Sequence, residues 1–157
     1  MPDTGARIGV RVAYPSAMSV LLIGAALALC SCHPPLESSD EVTDLARMPY
    51  PAQVQQGEDL AIVLRRTGDH IEVTNTTAQS YENVWMWLNQ RYVGQIDLLT
   101  LGTGNRYDLG RFVNSHGERY PRGGFLKPDK SFPIILAELY DPRAQRKHRL
   151  LVRMGRE

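Results

Sequence analysis

The chain has no cysteine after Cys32, and its two cysteines, Cys30 and Cys32, stand together behind an apolar run. What folds downstream therefore has no disulfide or thiolate metal site and depends on apolar burial and backbone hydrogen bonding. Charge of one sign is also scarce: 18 Lys and Arg against 17 Asp and Glu leave a formal net charge of +1. Such a balance projects no global field toward nucleic acid or a strongly acidic partner. No apolar run reaches the ~20 residues that span a bilayer comfortably. Catalytic signatures are missing as well: there is no G-x-S-x-G, no H-E-x-x-H and no P-loop lysine.

What is present is ordinary globular material. Apolar residues make up 43% and charged residues 22%, which excludes a disordered composition. A length of 157 residues suits one domain with a tail. The tail is at the front. Arg7 and Arg11 precede an apolar run at 17–29, and a basic region before an apolar stretch of this length reads as a secretory signal peptide. Met1 suits the start better than Met18, which would leave that region uncharged.

The run ends in Leu29-Cys30-Ser31-Cys32. With an aliphatic residue three before Cys32 and a small one just before it, this segment resembles the lipobox of bacterial lipoproteins, although Cys30 in its middle is unusual. The resemblance implies cleavage before Cys32 and acylation of that residue. Several acyl chains, at about 0.8 kcal/mol per buried methylene, anchor stably where a single chain is marginal. The alternative is a plain signal peptide or uncleaved helix with incidental cysteines. The absence of Asp after Cys32 resembles lipoproteins sorted to an outer membrane, where one exists. Residues 1–31 are thus expected as a leader, 32–51 as a Pro/Ser/acidic tether and 52–157 as the domain. Within the tether, Val42, Leu45 and Met48 recur at helix-like spacing.

The domain alternates with period two, as half-buried strands do. Strands are expected at 58–66 and 70–75, turned by Thr67-Gly68-Asp69, and at 83–89 and 92–98. Two registers compete for the latter pair. A two-residue loop, Asn89-Gln90, sets Trp87 opposite Tyr92. A three-residue loop, Asn89-Gln90-Arg91, gathers Tyr92, Ile96 and Leu98 onto the face of Val84, Met86 and Leu88. Burial fixes register because a one-residue slip flips every side chain, which argues for the second. Against it, Arg91 is poorly suited to a left-handed position. Further strands are expected at 105–109, at 132–139 as a central strand, and at 149–154, with a Gly/Pro loop over 113–128. About seven short strands and no long helix read as an antiparallel β-sandwich. The order N-T-T, Y-E-N-V-W-M-W-L-N, Leu101-Gly102 and Leu109 to Phe112 is similar to immunoglobulin-like FxLYD domains of bacterial envelope proteins. That resemblance covers roughly 72–112, implies a binding or assembly module, and supplies no catalytic residues.

Few residues stand out for chemistry. His33, His70, His116 and His148 are scattered without a second donor at ligand spacing, so neither a metal nor another cofactor is expected. Asp108, Glu118, Asp129 and Glu138 are carboxylates of unknown separation. Trp85, Trp87 and, in one register, Tyr92 form a candidate row for stacking on a glycan, against the plainer reading of rings buried under a covering element. Arg143, Arg146, Lys147 and Arg149 are candidates for contact with anionic lipid, against a solvated edge hairpin. The expectation is a non-catalytic, lipid-anchored envelope protein meeting a membrane through Cys32 and an envelope protein or glycan through its domain, with no nucleic acid. A glycan-binding module is the second reading, and a hydrolase with its site in the 113–128 loop is the third.

Overall fold

The computed structural model describes residues 32–33, 39–122 and 132–153. The expected signal peptide and lipobox positions 29–31 lie outside them, as do Asp129 and the Gly/Pro part of the loop from 123 onward. The architecture is all-β. Among the described residues nine strands run as β1 (Cys32–His33), β2 (Gln55–Gln56), β3 (Leu60–Thr67), β4 (His70–Asn75), β5 (Tyr81–Leu88), β6 (Tyr92–Leu99), β7 (Gly102–Asp108), β8 (Ala137–Asp141) and β9 (Arg146–Arg153). One α-helix, α1 (Ser39–Ala46), and one 3-10 turn, Leu109–Arg111, accompany them.

The strands form a single hydrogen-bonded sheet in the order β1-β7-β4-β3-β9-β8-β5-β6, with β2 added beside β9. Neighbouring pairs are antiparallel except β1 with β7, β2 with β9 and β3 with β9. The sheet is nearly closed. β6 approaches the other end of the sheet where it turns into β7: the Tyr107 hydroxyl donates to the Leu98 carbonyl at 2.9 Å. Beside it, Asn105 Oδ1 accepts from the Thr100 amide at 2.9 Å, and its Nδ2 donates to the Thr100 carbonyl at 3.0 Å.

Alternation in the sequence becomes inside and outside. Ile62 and Leu64, Ile71 and Val73, Val84 and Met86, Tyr92 and Ile96, Leu139 and Leu150 point into one core. The β3–β4 hairpin turns at Gly68, whose φ of 62° suits a residue without Cβ. Gly94 sits in mid-strand because the Phe112 ring lies over it; a Cβ there would fall 2.8 Å from the ring. The expected central strand at 132–139 is shorter, with only Ala137–Asp141 paired, but it does lie between β5 and β9.

The β5–β6 register is the three-residue loop: Leu88 pairs Tyr92, Trp87 pairs Val93 and Val84 pairs Ile96. Asn89 and Gln90 take the left-handed conformation, with φ of 52° and 56°, so Arg91 does not have to. Within this hairpin one expectation fails. Leu98 is 40% exposed and Leu99 is buried instead. The cause is Asn83, whose φ of 52° interrupts the strand opposite Asp97, so that Tyr81 rather than Glu82 turns inward beyond it.

The segment expected as a tether also differs. Over 39–50 it is packed structure, because α1 lays Leu45 and Val42 on the outer surface of the sheet. The terminal hairpin is not an edge either: β9 lies between β3 and β8.

Candidate functional site

On the outer surface of the sheet, Trp85, Trp87, Glu138, Tyr140 and Lys147 are brought together by pairing. Trp85 stands opposite Tyr140 and Trp87 opposite Glu138 across β5–β8, and Tyr140 stands opposite Lys147 across β8–β9. A second apolar cluster forms there from Leu45, Trp87, Val93 and Val113, with Val42, Met48, Tyr50, Trp85 and Tyr140 against it. The helical spacing of Val42, Leu45 and Met48 thus serves to cover the tryptophan face.

A polar chain lies under this cover. Lys147 Nζ donates to the Tyr50 hydroxyl at 3.0 Å, and that hydroxyl donates to Glu138 Oε2 at 2.7 Å. Gln90 Nε2 reaches the same carboxylate oxygen at 3.4 Å. Glu138 is 2% exposed, and a carboxylate at that depth requires such donors. The Tyr50 phenol is pushed up from its ordinary value, first by burial, with the Glu138 carboxylate adding to that and Lys147 opposing it. Lys147 also sits over the Tyr50 ring, 4.7 Å from its centroid, and Tyr50 meets Trp87 edge to face at 5.3 Å. Trp87 Nε1 is buried with no hydrogen-bond partner.

The ring row proposed from sequence is therefore not assembled. Trp87 is buried and Trp85 half-buried on the outer face, while Tyr92 is buried on the inner one. There Tyr92 packs edge to face on Tyr120 at 4.8 Å and on Phe132 at 6.1 Å. A glycan would reach Trp87 only with residues 39–50 displaced. Of the four C-terminal basic residues, Lys147 is engaged with Tyr50, and Arg143, Arg146 and Arg149 are exposed. Arg143 belongs to a turn held by the Asp141 carboxylate, whose Oδ1 accepts from the amides of Arg143 and Ala144.

A second constellation was hidden in the sequence. Among the described residues, one group of His, Cys, Asp and Glu reaches three members: Asp69, His70 and Asp108, with donor atoms within 4.8 Å of one another. Pairing of His70 with Asp108 across β4–β7 assembles it. The Asp69-His70 dipeptide was its visible half; Asp108 comes from 38 residues on through the sheet. His70 Nδ1 touches Asp69 Oδ1, and its Nε2 lies 3.9 Å from Asp108 Oδ2. Arg106 Nη2 stands 3.3 Å from Nδ1, which cannot donate to Asp69 and accept from Arg106 at once. Asp108 Oδ1 is already ion-paired with Arg122 and accepts from the Gly110 amide at 2.6 Å. Arg122 thus already neutralises Asp108, while Arg106 stands against the His70 imidazole.

In the 113–122 part of the loop, Val113 bridges to Val93 and Arg119. Asn114 Oδ1 accepts from the amides of His116 and Glu118, and its Nδ2 donates to Glu118 Oε2 at 2.7 Å. These bonds fold the loop on itself, and His116 is exposed. Glu118, Asp108 and Glu138 are each tied to partners of their own. No helix among the described residues is long and apolar enough to cross a membrane. Comparison with protein-family models, with curated proteins and with solved structures finds no match.

Proposed function

We propose that this chain is a lipid-anchored protein of a bacterial cell envelope, exported by its leader, acylated at Cys32 and carrying one immunoglobulin-like β-sandwich that binds or assembles with an envelope partner without catalysis. The observation that carries the reading is Leu29-Cys30-Ser31-Cys32 placed directly after a basic region and the apolar run at 17–29. The downstream architecture supports it. An all-β domain held by apolar burial, with every cysteine confined to positions 30 and 32, folds without disulfide chemistry wherever the anchor leaves it. An outer membrane, where one exists, is the destination in keeping with His33 in place of Asp after the anchor.

The test is mass spectrometry of the mature N-terminus from envelope extracts. A first residue at Cys32 carrying diacylglycerol is the expected result. An unmodified terminus, or one at any other residue, ends the proposal. Co-purification from the same extracts then identifies the partner.

A further inference from the structure

The backbone of β1 places Cys32 in the edge strand of the sheet instead of at the end of a long tether. Cys32 pairs with Arg106 and His33 with Tyr107, in parallel with β7. The register continues across the sheet as one row: Arg106 pairs Glu72, Glu72 pairs Arg65 and Arg65 pairs Arg153. At about 4.8 Å between strands, Arg106, Glu72, Arg65 and Arg153 lie about 5, 10, 14 and 19 Å from Cys32 along the sheet.

All four belong to the outer face. Their neighbours along each strand, Leu64, Ile71, Val73, Asn105 and Tyr107, are buried on the other side. Arg65, Arg106 and Arg153 are exposed. Between Arg153 and the exposed Arg149 stands Leu151, 51% exposed and paired with Val63. The face therefore combines a small apolar centre with arginines around it. Against these four arginines stand four carboxylates: Glu72, held below its ordinary range chiefly by its hydrogen bond from Arg65, Asp69 at the β3–β4 turn beside His70, and the buried Asp108 and Glu138, of which Asp108 is ion-paired with Arg122 and Glu138 holds the Tyr50 hydroxyl.

We propose that this outer face, with Arg106, Arg65 and Arg153 as its cationic row, is the surface the protein lays against anionic phospholipid headgroups. The proposal rests on acylation of Cys32, which fixes the β1–β7 edge at the membrane surface and brings Arg106 to headgroup depth. Charge complementarity then orients the domain, and Leu151 with Val63 meets the interface. The turn carrying Arg143 and Arg146 is not the contact. Arg146 is seven residues from Arg153 along β9, about 23 Å from the row at strand spacing.

The experiment separates this surface from the anchor. The chain from residue 32 onward, which carries all the packing described above, is produced with Cys32→Ser and floated with vesicles of phosphatidylcholine alone or with phosphatidylglycerol. Binding is expected to the anionic vesicles only and to weaken with salt. Arg106→Gln and Arg65→Gln are each expected to weaken it about fivefold, the effect of one basic residue at an anionic surface. Together they lower it about 25-fold on the same basis, whereas Arg143→Gln with Arg146→Gln leaves it unchanged. Equal binding to both vesicle types, no binding to either, or an equal loss in the two double variants overturns the proposal. Failure of acylation is read separately, from the mass of the native N-terminus.

Discussion

At the scale of single residues, Asn89 shows how much one side chain can organise. Its φ of 52° opens the β5–β6 loop, its Oδ1 accepts from the amides of Ile135 and Leu136 at 2.9 and 3.1 Å, and its Nδ2 donates to the Pro133 carbonyl at 2.8 Å. The side chain thus ties the loop to the irregular segment leading into β8. Asn89→Gly keeps the left-handed backbone but removes these bonds, and is expected to cost about 1–3 kcal/mol in urea denaturation. A loss under a few tenths of a kcal/mol would show that the bonds are replaced by water. Single residues are also the least legible part of this sequence. Asn89 and Asn83 differ little on paper, yet one opens a loop and the other interrupts a strand and exchanges Leu98 for Leu99. Both depend on left-handed backbone that Asn tolerates, and nothing local announces which Asn adopts it. Likewise Asp69-His70 was in view, but Asp108 joins it only through sheet register.

At the scale of elements, the strands were legible because period-two alternation is read directly from the chain, as Ile62 and Leu64 or Val84 and Met86 show. The role of α1 was not. Its spacing of Val42, Leu45 and Met48 suggested a helical turn, but the surrounding prolines, serines and acids suggested solvent. What decides the matter is an outer sheet face with two tryptophans, which offers a helix of eight residues the apolar surface it needs. Leu45→Ala is expected to weaken docking of 39–50 by about 2–4 kcal/mol, as for other buried leucines. Acrylamide quenching of tryptophan fluorescence is the measurement. It should rise sharply in the variant, with a red-shifted emission from Trp87, while strand content by circular dichroism holds. Unchanged quenching would mean that α1 does not shield the ring.

For the whole molecule, the inner core decides the response to alkali. Burial pushes the Tyr120 phenol up to about 12, with the Arg66 guanidinium opposing the shift, and pushes Tyr107 higher still against the opposing charge of Arg111. An unfolded chain ionises its tyrosines near pH 10. Between about pH 10 and 12 it therefore holds fewer protons than the folded protein, so stability falls as pH rises through that window and is whole below it. The urea midpoint should drop from pH 9.5 to 11.5, and Tyr120→Phe should shallow the slope. A flat midpoint over that range would contradict the burial of both phenols.

The placement of β9 sets the order of events when this chain is made. Its last residues pair β3 and its first pair β8, so Arg146–Arg153 joins β1-β7-β4-β3 to β8-β5-β6, and among the described residues the two groups have no other ladder between them. A chain emerging from synthesis thus holds two open half-sheets until its final strand arrives. Pairing of residues some 90 apart, such as Leu60 with Leu150, is slow because a long loop must close before the contact rewards it. Closure of this sheet therefore waits on its longest-range ladder, β3 with β9, and a cut within Arg146–Arg153 would leave both half-sheets with an open edge.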